Sequence, residues 1–147
     1  MKLSIKSHFL ITGGIIAGLA AIWHLLCLIG GVGWLAFARA PLAIIESYKQ
    51  GTALAPIATV IIAGLMFACA AYAFSSAGLI RKIPLLKSAL VTISVLCLLR
   101  ATLVMPRIVR ESFTDTWQIV ASAVFFFVGI CFLLGSIEAF SVKKIKK

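Results

Sequence analysis

The chain has 147 residues, of which 63% are hydrophobic and 12% charged, and its mean hydropathy is +1.16. Soluble domains hold about 45–50% apolar residues and about twice that charged share, so a water-soluble fold is excluded. Lys and Arg outnumber Asp and Glu fourteen to four, for a net charge of +10; because these cations gather at the ends of apolar runs, they suit lipid headgroups and not nucleic acid.

The first apolar run, Phe9 to Gly33, carries no charge and follows Lys2 and Lys6. It is too long for the core of a signal peptide, and Pro41 stands just after the one small-x-small candidate cleavage site, so a retained first helix is expected. Gly14, Ala17, Gly18, Ala21 and His24 recur at spacings of three and four, which places them on one face. The G-x-x-x-G at Gly14 and Gly18 admits a close neighbour helix. From Trp34 to Pro56 the connection holds Trp34, Phe37 and Tyr48, suited to a membrane interface, and Pro41 followed by LAIIESYK predicts a short amphipathic surface helix.

The second span is expected at Ile57 to Ala77, with a small-residue stripe of Gly64, Ala68, Ala71 and Ser75 and a polar, glycine-terminated end at Gly78. A short basic connection with Arg81, Lys82, Pro84 and Lys87 leads to the third span, Ser88 to Met105, closed by Pro106. Next come Arg107, Arg110, Glu111 and Asp115, with Thr114 or Asp115 as an N-cap for the fourth span, about 117–140, and Trp117 as a belt residue. The expected fold is thus all-α: one transmembrane domain over 1–147, an antiparallel four-helix bundle with spans at about 9–33, 57–77, 88–105 and 117–140. The basic Lys143 to Lys147 tail is expected to lie against anionic lipid headgroups.

With four spans, nine basic residues fall on the side of both termini and four on the other, and the positive-inside rule places both termini in the cytoplasm. The four cysteines, one per apolar run and with no C-x-x-C pair, are expected to be reduced packing residues. No nucleophile and base pair, metal cluster or phosphate loop is visible, so neither catalytic residues, metal nor cofactor is expected.

Arg100 is the one charge inside an apolar run away from its ends, and such residues face a bundle interior and find partners. At about 1.5 Å per residue, Arg100 and His24 both fall about 5 Å to the outer side of the midplane. Glu46, Glu111 and Asp115 are candidate partners for the guanidinium, as is neutral His24; snorkelling past Pro106 is the alternative. Glu138, near the cytoplasmic end of the fourth span, has Lys87, Arg81 or Lys82 as ion-pair partners, with proton coupling as the other reading. Ser88, Thr92 and Ser94 are expected to bond their own backbone or a neighbouring helix.

Three stretches, GLAAIWHLLCLIGG in the first span, SSAGLIRKIPLLK between the second and third, and LLRATLVMP closing the third, resemble small bacterial four-helix membrane proteins of the DoxX-like kind. That resemblance implies a bacterial inner membrane, and its redox members would imply a membrane subunit of an oxidation system, although no position here matches a catalytic residue. The leading expectation is a non-enzymatic accessory or structural protein that packs against partner helices or its own copies. Two others stand beside it: a small transporter or binder of an anionic or quinone-like molecule around His24, Arg100 and Glu46, and a DoxX-like redox subunit.

Overall fold

A computed structural model describes residues 5–110 and 116–141, with side-chain surroundings for all of these but 6, 104–110 and 138–141. Every element among them is helical: α1 (Ile5–Gly30), α2 (Val32–Phe37), α3 (Leu42–Lys49), α4 (Leu54–Ser76), α5 (Leu86–Arg110) and α6 (Thr116–Ser141). Four stretches within them, Ser7–Gly30, Leu54–Ser76, Leu86–Leu103 and Thr116–Ile137, are long and apolar enough to cross a membrane. They coincide with the four expected spans to within a few residues.

The differences have local causes. The first apolar run is cut at Gly31, whose φ of 78° only glycine adopts freely, and the chain restarts as α2. The second helix begins before Pro56, because a proline in the first turn lacks only an N–H that has no intrahelical acceptor there. The third does not close at Pro106. Helical backbone continues to Arg110, although Pro106 cannot donate to the carbonyl of Thr102 four residues back.

Helix ends follow a shared device. At the end of α4 the N–H of Gly78 donates to Ser75 O at 3.2 Å and that of Leu79 to Phe74 O at 2.9 Å, with Gly78 at φ 79°. This is a Schellman cap, which uses carbonyls left over at the helix end. The same pair of bonds ends α3 around Gly51 (φ 67°) and α2 around Arg39 (φ 55°).

The chain divides into two compact units, residues 1–16 with 69–147, and residues 17–68. In the first, Leu10, Ala73, Ala77, Leu90, Val128 and Phe132 form a buried cluster. Glycines set how near its helices come. A Cβ at Gly14 would meet the Ala73 methyl at 2.9 Å, one at Gly129 would meet Leu98 at 2.8 Å, and Leu10 occupies the place of a Cβ at Gly135. Contacts between α5 and α6 descend one helix as they climb the other, Ser94 to Gly129 and Arg100 to Phe125, so this pair is antiparallel.

In the second unit α2 packs on α3, and α3 is tied to the start of α4. The Ser47 hydroxyl, 5% exposed, accepts from the Ala55 N–H at 2.9 Å and pairs with the Thr52 hydroxyl at 2.7 Å. A serine eight residues upstream thereby satisfies one of the orphan donors of α4. Along α4, Ala55, Thr59, Ala63, Ala70 and Ala73 are buried, whereas Gly64 and Ala68 of the expected stripe are exposed.

Candidate functional site

Arg100 is carried on α5 beside the seam that this helix makes with α6. Ser94, 1% exposed, donates its hydroxyl across that seam to the carbonyl of Gly129 at 2.9 Å. Gly129 has no side chain in the way, so the serine reaches the backbone directly. This is the cross-helix outcome of the two expected for Ser94, whereas Ser88 donates to Leu85 O in its own chain turn at 2.9 Å.

One and two turns further along α5 come Cys97, Leu98 and then Arg100. The Arg100 guanidinium lies over the Phe125 ring, with Cζ 5.5 Å from the centroid. Its Nη1 is fully buried and makes no hydrogen bond among the described residues. The ring face offers a cation–π attraction of about 0.5–2 kcal/mol. Among the described residues no acceptor takes a hydrogen bond from that nitrogen, and a buried donor left without one carries a penalty of about 1–3 kcal/mol.

The second buried polar atom without a partner among the described residues is the hydroxyl of Ser122, 1% exposed and one turn before Phe125 on α6. Both orphans therefore belong to the same stretch of the α5 and α6 pair. Ser136, by contrast, turns its hydroxyl to Leu133 O at 2.7 Å.

Phe125 escaped the sequence reading as a partner of Arg100. A signal was present: Arg100 and Phe125 lie at comparable distances from the connection joining their helices. Only one of the three consecutive phenylalanines can face α5, and Phe126 and Phe127 are exposed at 51% and 44%.

His24 and Glu46 belong to the second unit, and Arg100 to the first. His24 is half-buried, and its Nδ1 lies 2.8 Å from Ala20 O one turn back. That carbonyl accepts only, so Nδ1 carries the proton, and Nε2 is the acceptor left on a neutral ring. Glu46 is exposed on α3, and its carbonyl closes the helix by accepting from Gln50 N–H at 2.9 Å. Beside His24, Trp23 packs on Trp34 at 5.6 Å between centroids and edge-on to Phe37 at 6.2 Å. Tyr48 approaches the Gly31 break, its hydroxyl 3.6 Å from where a Cβ would sit. The aromatic residues expected at an interface thus gather around the short helices after α1.

Lys87 lies in the first turn of α5, half-buried. The side chain of Glu138, and Glu111, Thr114, Asp115 and the Lys143 to Lys147 tail, lie outside the described residues. All four cysteines are free thiols, Cys27 and Cys131 buried. Among the described residues no three His, Cys, Asp or Glu side chains come together as a metal site would require.

No protein-family model matches the chain, and neither a curated protein nor a solved structure matches it. The DoxX-like resemblance gains no support from these comparisons.

Proposed function

We propose that this chain is a multi-pass protein of a bacterial inner membrane, its four apolar helices forming an antiparallel bundle with both termini cytoplasmic. Its role is that of a non-enzymatic accessory protein, packing against the helices of a membrane partner or of its own copies. The nine-to-four split of basic residues supports the orientation, and the lysine-rich tail is suited to anionic headgroups on that side.

The contrast among glycines carries the packing role. Gly13, Gly14, Gly129 and Gly135 each meet side chains of the chain's own helices, whereas a Cβ on Gly64, in the middle of α4, would have nothing within 4 Å. A mid-helix glycine costs about 1 kcal/mol relative to alanine. At the four filled positions close packing offsets that cost; at Gly64 nothing among the described residues does. With Ala68 one turn on, also exposed, Gly64 offers the small-x-x-x-small surface on which membrane helices approach each other.

The test compares two leucine substitutions. Gly64→Leu is expected to abolish co-purification with partner or copy while leaving the melting temperature in detergent within about 2 °C of the parent. Gly14→Leu is expected to unfold the chain, since its surroundings are already filled. Unchanged assembly in Gly64→Leu removes the packing reading.

A second reading, a binder or transporter of an anionic or quinone-like molecule around Arg100, with His24 and Glu46, is favoured by the buried Nη1, which has no hydrogen-bond partner among the described residues. Cysteine labelling from outside intact cells, at Arg100→Cys and along α5 in a background without native cysteines, checks it. Labelling at that position supports a water-filled cavity, and protection there, with Tyr48→Cys labelled as control, removes it.

A further inference from the structure

The connection between α4 and α5 is seven to nine residues of a kind that composition alone would leave as a flexible basic link. Its backbone is tied down at three points. The Gly78 cap fixes its start. In the middle, Ser75, 2% exposed on the last turn of α4, donates its hydroxyl to Arg81 O at 3.0 Å and accepts from Ile83 N–H at 3.0 Å. One buried side chain therefore clasps the backbone on both sides of Lys82. Pro84 has its φ locked by its ring. At the far end Leu85 O accepts from both the Ser88 hydroxyl and the Ala89 N–H, each at 2.9 Å.

What this fixed loop presents is not what a water-facing turn needs. Leu79, Ile80 and Leu85 are 52%, 47% and 77% exposed. Leu85 also holds a φ of 59°, a left-handed conformation that a branched, non-glycine residue rarely adopts. Leu85 is thus both strained and mostly uncovered, and strain of this kind collects at functional sites. Between these apolar residues stand Arg81 and Lys82, both exposed, and the segment from Ala77 to Ala89 contains no acid. Adjacent cations flanked by apolar side chains match the interface of a bilayer, where phosphate lies just above the acyl region.

We infer that residues 79–85 form a preformed docking site for an anionic phospholipid: Arg81 and Lys82 hold the headgroup phosphate, and Leu79, Ile80 and Leu85 enter the acyl boundary beneath it. Ser75 is a positioning residue, acting through the backbone of the loop. The inference rests on the membrane reading above. Each cation near an anionic surface strengthens association about fivefold, so the pair sets a preference of about 25-fold over a zwitterionic lipid.

The experiment uses the full chain in detergent micelles, titrated with phosphatidylglycerol or phosphatidylcholine, with bound lipid counted by native mass spectrometry. Expected is tighter binding of phosphatidylglycerol by at least tenfold, falling to near parity in Arg81→Gln with Lys82→Gln and kept in Lys49→Gln, a cation of a different connection. Ser75→Ala retains both charges and is expected to lose most of the preference; because it can also weaken folding, the exposed charge pair serves as the independent variant. Equal affinity for the two lipids in the parent overturns the inference, as does a preference that survives in the double variant. So does a folded Ser75→Ala with the parent's preference, because charge alone would then suffice. Extraction of the parent from cells by alkaline carbonate separates the two failures: release into the soluble fraction sinks the membrane reading, whereas retention without lipid preference sinks only this one.

Discussion

At the scale of single residues, the serines of the α5 and α6 pair offer a sharp comparison, since three are buried and, among the described residues, two of these have partners. Ser94 completes a bond to Gly129 O, and membrane hydrogen bonds of this kind average about 0.6 kcal/mol. Ser94→Ala is expected to destabilise by about 0.5–1 kcal/mol, in denaturant titration of the detergent-solubilised chain. Ser122→Ala, which removes an orphan hydroxyl, is expected to stabilise by about 1 kcal/mol in the same titration. Arg100 follows the logic of Ser122. Its side chain is half-buried, with one buried nitrogen that has no partner among the described residues, so Arg100→Leu is expected to raise the midpoint or leave it unchanged. A fall of more than about 1 kcal/mol would mean that the guanidinium is a structural staple. Arg100 itself was legible from sequence as a charge lodged in an apolar run. Its actual neighbour was not, because choosing one of three phenylalanines requires the rotation of α6 about its axis, which an almost uniformly apolar helix does not encode.

Elements were more legible than residues, for a reason visible in their ends. Gly78 after Ser75 and Ser76 announced the close of α4, and Pro41 the start of α3. Both are residues whose backbone preference is strong enough to act without help from packing. Gly78→Ala is expected to cost about 1–2 kcal/mol in the same unfolding measurement, the penalty for placing a Cβ at φ 79°. The Gly31 break was missed since Gly30, Gly31 and Gly33 all lie in apolar surroundings, and glycine is common within membrane helices. Only the distance to the next interface residues, Trp34 and Phe37, could have signalled it. The small-residue stripe of α4 did not say which way it faces, for a related cause. With alanine at seven of its positions, two neighbouring registers look alike, and the structure buries Ala55, Thr59 and Ala63 while leaving Gly64 exposed. Small-residue patterning identifies a face suited to close approach without saying what approaches it.

For the whole molecule, the number and placement of apolar helices were readable from composition and run length alone, since a bilayer imposes a length that few other environments demand. The division into two units was not readable. It cuts α1 and α4 within their length, so the first part of α1 is grouped with α5 and α6 and the remainder with the short helices. No change in composition marks those points, because contacts define them, not turns. If the membrane orientation is as proposed, a reporter fused after residue 49 is expected to be active only outside the cytoplasm and one fused after residue 82 only inside it; reversed activities would overturn the assignment.

One consequence of the Gly13 contacts concerns synthesis. Gly13 faces Cys131 and Phe132, so α1 finds part of its final neighbourhood only about 120 residues after its own synthesis. At roughly 5–20 residues per second that interval is on the order of 6–25 s. During it, Gly13 lacks these neighbours, whereas Gly14 beside it already has Ala73 and Phe74 of α4 to meet. A chain that stops before α6 therefore leaves the Gly13 position open, a gap that only the last helix closes.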